Sequence, residues 1–166
     1  MVYLLLGSNV DKERCYPAAI RQITSLGEVI RVSPVYETEP VGMPGADNFF
    51  NGAVLLATDL APEELKLRLR RDVEERLGRV RKPGGPVAPR TIDVDIALWD
   101  DRVGTLAGGQ VPDPDILRHI HVARPLADIA PELEHPETGQ TLAEIASDLS
   151  GLGPVPLLRP DVVLDY

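Results

Sequence analysis

Cysteine, histidine and aromatic residues are all scarce in this chain of 166 residues: Cys15 is the single cysteine, there are three histidines, and 4% of positions are Phe, Trp or Tyr. One thiol cannot close an internal disulfide, so stability must come from an ordinary apolar core, and a lone cysteine suits a reducing cytoplasm better than secretion. Long apolar runs are missing too. None approaches the roughly 20 residues of a membrane-crossing helix, and the opening MVYLLL has no basic leader and stops at Gly7-Ser8-Asn9. It is too short for a secretory signal and reads as a first strand. A soluble protein with no membrane partner is expected. Positive charge is also in deficit, with 17 Lys and Arg against 26 Asp and Glu for a formal charge of −9. Nucleic acid wants a basic face, so it is excluded as a partner.

Several catalytic signatures are absent: the chain has no Walker P-loop, G-x-G-x-x-G, H-E-x-x-H or G-x-S-x-G. If ATP is used, its phosphates must be held by side chains and metal ions rather than by a glycine-rich loop at a helix start.

What is present suits one domain over residues 1–166, a length that buries roughly 70% of the unfolded surface. Val2 to Gly7 reads as a buried strand. Ser8, Asn9 and Asp11 offer capping oxygens to a helix from about Lys12 to Leu26, although Pro17 argues for a start nearer Cys15. Val29 to Val35 is rich in β-branched residues and reads as a strand, Glu37 to Asn48 as a loop, and Phe49 to Thr58 as a strand antiparallel to the one before it. Asp59-Leu60-Ala61-Pro62-Glu63-Glu64 is a helix start, and Leu65, Leu69, Val73 and Leu77 continue one apolar face up to Gly78. Thr91 to Trp99 alternates, with Ile92, Val94, Ile96 and Leu98 on one face and Asp93, Asp95 and Ala97 on a wet one. The order β-α-β-β-α-β predicts an α+β, ferredoxin-like fold: an antiparallel sheet with both helices on one side, the other side free for ligand, and C-terminal additions. Those additions read as a turn or short strand over Asp100 to Gln110, a short helix at Asp113-Pro114, and helices over Val122 to Ile129 and Leu142 to Leu149. The tail, Gly151 to Tyr166, fits either an edge strand or a segment draped over the body.

The chemistry concentrates between Arg79 and Trp99. Arg79, Arg81, Lys82 and Arg90 fall on a Gly/Pro-rich loop with no acidic residue among them, in a chain that is otherwise acidic. A solvated basic loop would be interleaved with acids, so an anion site is the better reading. Asp93-x-Asp95 then puts two carboxylates on one strand face, their Cα atoms about 6.6 Å apart. Such a pair alone also suits two ordinary surface acids; beside four cations it suits a polyphosphate with its magnesium ions, because phosphate oxygens pair with Arg and Lys and hard metals take carboxylate oxygen. His119-x-His121, with Asp113, Asp115 and His135 near in sequence, could be read as a transition-metal cluster, but the spacing matches no zinc signature.

The run Ala88-Pro89-Arg90-Thr91-Ile92-Asp93-Val94-Asp95-Ile96 resembles the signature of the 6-hydroxymethyl-7,8-dihydropterin pyrophosphokinases of folate synthesis. The resemblance extends to Gly7-Ser8-Asn9, to Ser33 through Gly42, which is similar to that family's pterin loop, and to Phe49-Phe50-Asn51. It continues through Glu74 with Gly78-Arg79-Val80-Arg81-Lys82, and through Pro125-Leu126 with Ile129 to Leu133, covering residues 1 to about 146. It implies transfer of the β,γ-pyrophosphoryl unit of MgATP to the pterin hydroxymethyl oxygen, with release of AMP. Asp93 and Asp95 would bind two Mg²⁺, and Arg79 and Arg90 would act in catalysis by neutralising the transferred charge. Arg81, Lys82, Glu74 and Ile96 would complete the ATP site, while Thr38, Val41, Phe49, Asn51 and His121 would bind the pterin. A cytoplasmic monomer acting on small molecules is expected. The alternative is a non-catalytic pterin- or nucleotide-binding regulatory domain of the same fold. Two departures from the family pattern stand out: Asp113 occupies the place of a usual His, and His119-Ile120-His121 stands where an Arg and a Phe would be. Val87 also falls at about the place of the family's Trp.

Overall fold

The structure, a computed structural model, describes residues 1–40, 45–80, 89–153 and 156–166. Strand β1 (Val2–Ser8) leads into α1 (Lys12–Ile23), which tightens into a 3₁₀ turn over Thr24–Leu26. Strands β2 (Glu28–Val32), β3 (Tyr36–Thr38) and β4 (Phe49–Ala57) follow, then α2 (Pro62–Arg68) and β5 (Asp93–Trp99). Next come the hairpin β6 (Gly104–Leu106) and β7 (Gly109–Val111), a 3₁₀ turn over Pro114–Leu117, α3 (Ile120–Ile129), α4 (Leu142–Asp148) and β8 (Leu157–Leu158). The main sheet runs β5-β1-β4-β3-β8, with β2 pairing along the far half of β4. Its pairings are antiparallel. This is the α+β, ferredoxin-like order expected from the alternation of elements.

Local chemistry moves several boundaries. The strand expected over Val29 to Val35 is two: β2 ends at Val32, and Ser33-Pro34 carries the chain across to a separate β3 inside the stretch expected to be loop. Proline has no N–H to give a ladder, which explains the break. Pro17 does not delay α1, which begins at Lys12 and buries Cys15, Tyr16, Ala19, Ile20 and Ile23. The packing of that face outweighs the one helical bond a proline forgoes. Regular α-helix in α2 ends at Arg68 and continues as a π-helical segment, Leu69–Glu74. Leu65, Leu69, Val73 and Leu77 are nonetheless all buried. A spacing of four overshoots the 3.6-residue α turn and drifts round the helix, and the wider π turn brings the stripe back onto the sheet.

Two cores sandwich the sheet. On one side Leu4, Leu6, Phe50, Val54, Val94 and Ile96 pack with Tyr16, Ile20, Leu65 and Leu69. On the other, Tyr3, Ala53, Leu55, Ala97 and Leu98 meet Ile116, Leu126, Ile129, Leu142 and Ile145. The second sheet face is therefore not free as expected: α3 and α4 cover part of it. Leu98 is also on the opposite face from Ile92, Val94 and Ile96, because the β1–β5 register shifts between Tyr3 and Leu4, leaving Ala97 as an extra residue. One inserted residue reverses the alternation. Asp93, expected on a wet face, is 9% exposed.

Gly52 sits where β4 presses on α1. A Cβ there would lie 2.1 Å from the hydroxyl of the fully buried Tyr16 and 3.0 Å from Ser33 Oγ. Gly52→Ala is expected to destabilise the fold by roughly 1–3 kcal/mol through overpacking, read as a lower midpoint in denaturant.

Candidate active site

The floor of the site is set by strand register. Gly7 of β1 pairs with Asn51 of β4 on one side and Asp93 of β5 on the other, and Leu5 pairs with Asp95. Directly paired residues share a face, so Asp93, the space above Gly7, and Asn51 form one row. A Cβ at Gly7 would come 3.7 Å from Asn51 Oδ1 and 3.9 Å from Phe49 Cδ1; glycine leaves that middle position open. Around the row is a cleft of about 340 Å³. It brings together Thr38, Phe49, Asn51, Arg90, Asp93, Asp95 and His121, residues widely separated in sequence, and adds Glu39, Asp113, Asp115 and His119.

Ser8 and Asn9 do not cap α1. The N-cap is Asp11, left-handed at φ 48° with no side-chain cap bond, and the two polar side chains instead clip the segment that carries Arg90. Asn9 and Val10 donate their N–H groups to the Arg90 carbonyl at 3.0 and 3.1 Å, the Arg90 N–H donates to Asn9 Oδ1 at 2.8 Å, and Ser8 Oγ donates to the Thr91 carbonyl. Both side chains are buried. A buried polar group must find a partner, and here the backbone at residues 90–91 supplies it. Arg90 is thereby fixed at the mouth of β5, its guanidinium against Asp93 Oδ2 and 5.8 Å from the Phe49 ring.

Asp93 is held by two cations. Arg79 reaches its Oδ1 at 2.7 Å and also donates to the Ile92 carbonyl at 2.8 Å. Burial works to raise the Asp93 carboxyl, but Arg79 and then Arg90 outweigh it, and the pKa lies below the ordinary carboxylate value. Glu74, 1% exposed, accepts the Val94 N–H at 2.9 Å and lies 3.7 Å from the Arg79 guanidinium. It ties the end of the π-helical segment to β5 and does not line the cleft. Ile96 is also away from the cleft, packed in the core beneath the first two helices. Asp95 is open to solvent and pairs with Lys66 Nζ at 2.8 Å. Arg81, Lys82 and Val41 lie outside the described residues.

At the opposite wall Thr38 and Asn51 are joined by Asn51 Nδ2 donating to Thr38 Oγ1 at 2.7 Å, with Phe49 directly across from Thr38 in the β3–β4 ladder. His121 stacks on His119 with ring centroids 5.2 Å apart. Burial, then the neighbouring His119, pulls the His121 pKa down to about 4, so the imidazole is neutral at physiological pH. Among the described residues no group of three or more His, Cys, Asp or Glu is arranged to hold a metal ion. A zinc centre built on His119 and His121 would need such a group.

Asp113 arrives by tertiary contact: its N–H donates to the carbonyl of Ala97, the bulged residue, at 2.8 Å, and its side chain accepts the Asp115 N–H. Burial raises its carboxyl, the bond from Asp115 N–H opposes that, and the charges of Asp115 and Asp95 raise it further. A folded-state pKa above the unfolded one means that the stability contribution is full below the unfolded value and lost as pH rises through the folded value. Asp113→Asn keeps the acceptor and removes the charge. It is expected to raise Tm at pH 7 and to leave Tm near pH 3 little changed, as thermal scans at the two pH values will show.

Asp113 and Asp115 repeat the D-x-D spacing and were visible as a pair, but nothing local tied them to β5. Lys66, on the solvent side of an amphipathic stripe, carried no sequence signal.

Comparison with known proteins agrees with this geometry. Residues 3–131 match the family described as 7,8-dihydro-6-hydroxymethylpterin-pyrophosphokinase. The chain is 37% identical over 147 residues to the 2-amino-4-hydroxy-6-hydroxymethyldihydropteridine pyrophosphokinase of Pseudomonas aeruginosa, covering 87% of this chain and 88% of that protein. It is 36% identical over 141 residues to the protein of that name from Porphyromonas gingivalis, covering 82% and 95%. A folic acid synthesis protein of Schizosaccharomyces pombe is 33% identical over 156 residues, 92% of this chain; the chain spans only 21% of that longer protein. With a family match over most of its length, and relatives of similar size more than one-third identical, the chain belongs to the 7,8-dihydro-6-hydroxymethylpterin-pyrophosphokinase family.

Proposed function

We propose that this protein transfers the pyrophosphoryl group of MgATP to the hydroxymethyl oxygen of 6-hydroxymethyl-7,8-dihydropterin, giving the pterin diphosphate and AMP in folate biosynthesis. The observation that carries this reading is that one cleft holds both halves of the reaction. Asp93 and Asp95 stand on β5 with Arg90 at one end, and Thr38, Phe49 and Asn51 stand at the other, across the open position at Gly7.

The donor set suits a hard cation. Asp93 and Asp95 offer carboxylate oxygen from one strand face, and Asp93 is held ionised by its two arginines. In our reading these two residues hold two Mg²⁺ that accompany ATP, which would neutralise phosphate charge and align the acceptor hydroxyl for an in-line displacement. The protein's own part is positioning. Arg79 and Arg90 neutralise Asp93 in the free protein; an entering polyphosphate offers them a second anion, and each guanidinium that turns to it releases carboxylate oxygen. Arg90 is the better placed of the two to turn, since its backbone is clipped while its side chain lies in the cleft. Arg81, Lys82, Glu74 and Ile96 complete the nucleotide side in this proposal, Glu74 by fixing Arg79 and Ile96 from the core of β5. Phe49 and the neutral His121 offer aromatic faces to the flat pterin, and Asn51, Thr38 and the backbone at Val41 match the donors and acceptors of its edge.

The protein acts as a single domain over 1–166, as a cytoplasmic monomer on two small molecules without nucleic acid; the net charge of −9 and the single cysteine support that part. No helix among the described residues is long and apolar enough to cross a membrane. The test is incubation with MgATP and hydroxymethyldihydropterin followed by nucleotide separation. AMP and the pterin diphosphate are expected in equal amounts; ADP, or no pterin-dependent turnover, would sink the proposal.

A further inference from the structure

The C-terminal tail makes contacts that the reaction as described does not use. Leu157 and Leu158 form β8 on the outer edge of β3, opposite Glu37 and Tyr36, and the Arg159 N–H donates to the Val35 carbonyl at 2.9 Å. The Arg159 side chain then folds inward. One guanidinium nitrogen meets Glu37 Oε2, two others meet Asp161 at 2.9 and 2.7 Å, and the group lies 4.9 Å from the Phe50 ring. From the other side Lys12 of α1 reaches Glu37 Oε1 at 2.7 Å and the Asn48 carbonyl at 2.8 Å, and sits 4.7 Å from the same ring. Glu37 is thus gripped by two cations, and Lys12, before Arg159 and outweighing burial, holds its carboxyl below the ordinary value.

What Glu37 and Phe50 are gripped for lies on the opposite face. They are ladder partners in β3 and β4, and their neighbours Thr38, Phe49 and Asn51 point the other way, into the cleft. β3 is only three residues long. So short a strand has few ladder bonds of its own, and its position depends on what is fastened to it. Beyond its ladder to β4, its fastenings on this side are β8, Arg159 and Lys12; on the cleft side the Tyr36 hydroxyl donates to Asp128 of α3 at 2.6 Å.

We propose that Arg159, with the Leu157–Asp161 strap, is a positioning residue for the acceptor end of the cleft, acting through Glu37 and β3 on the Thr38–Asn51 pair. This rests on the cleft being the pterin site. Asp161 has a defined part in it: by occupying one side of the guanidinium it fixes the fork, so that Arg159 reaches Glu37 with little freedom left to lose. The strap is fastened to β3 and Glu37, on the face turned away from the cleft, and its influence falls on one substrate.

The test compares the unaltered full chain with Arg159→Ala and Arg159→Lys. Hydroxymethyldihydropterin affinity is measured by calorimetry, and AMP formation is followed with each substrate varied in turn. Arg159→Ala is expected to raise the pterin Kd and KM by roughly three- to tenfold, with kcat and the MgATP KM within about twofold of the unaltered protein. Arg159→Lys, which keeps the charge but not the fork, should fall between. Unaltered pterin affinity in a folded Arg159→Ala protein overturns the proposal, as does an equal rise in both KM values. If Arg159→Ala does not fold, Arg159→Lys and Glu37→Gln carry the test, and unaltered pterin affinity in both overturns it. A wild-type chain that binds no pterin overturns the reading of the cleft and this inference with it, whereas pterin binding that no variant changes overturns the strap alone.

Discussion

Asp93→Asn is expected to lower kcat by on the order of 10³-fold and to destabilise the protein by about 3–5 kcal/mol. Both effects follow from one arrangement. The Asp93 side chain is 12% exposed and is contacted by Arg79 on one oxygen and Arg90 on the other. Asparagine has the same shape, but it presents an N–H₂ to one of the guanidiniums and takes away the carboxylate that the two largely buried cations share. Removing one partner of a buried ionic cluster costs more than the cluster contributes, because the remaining charges stay desolvated. In the proposed reaction, catalysis also loses a metal-binding carboxylate and the placement of both arginines. Acid sensitivity should change as well. A depressed folded-state pKa contributes stability above the unfolded carboxylate value and loses it as pH falls through the folded one, so the acid limb of the wild-type stability curve should be steeper than that of the variant. Denaturant midpoints from pH 3 to pH 7 and single-turnover kinetics check both parts. Unchanged stability would mean that Arg79 and Arg90 find other partners at no cost.

Arg90→Ala is expected to lower kcat by on the order of 10²-fold with a much smaller stability change, since in the proposed reaction it removes a contact that strengthens as charge moves onto the transferred group. The contrast with Asp93 lies in what remains. The backbone at residue 90 keeps its bonds to Asn9 and Val10, and Arg79 stays on Asp93, so the fold keeps its clip and the carboxylate keeps one counter-ion. What is lost is the one Arg or Lys that, among the described residues, lines the cleft, between the carboxylate end and the ring of Phe49. Arg90→Lys should recover part of the rate, because a point charge replaces the fork but not its two-point geometry. An unchanged kcat in Arg90→Ala would make this residue a structural one.

Much of this architecture was legible from the chain because its signals are local. The alternation around Asp93 and Asp95 reports a strand with both carboxylates on one face, the stripe from Leu65 to Leu77 reports a helix, and Pro62 marks its start. The helices over 122–129 and 142–149 were also readable, and the structure starts α3 only two residues earlier, at Ile120. The failures were of another kind. Ser8 and Asn9 look like helix caps because capping is the commonest local use of such side chains, yet the partner that takes them is more than 80 residues away. The bulge at Ala97 leaves no mark in the pattern of Asp93 to Trp99, since an apolar residue follows it whichever way the strand turns.

The order of elements, the chemistry of the Arg79 to Trp99 stretch and, through resemblance, the family are written in residue type and spacing along a few turns or strands. Which side chains share the cleft is settled instead by contacts between distant segments. Pairing β1 with both β4 and β5 put Gly7 between Asn51 and Asp93, the bulge at Ala97 gave Asp113 a carbonyl to bind, and the returning tail placed Arg159 behind β3. The reason is physical: backbone preference acts over a few residues, whereas a site is made where strands distant in sequence exchange hydrogen bonds and where buried charges, brought together by packing, must find partners wherever the fold supplies them.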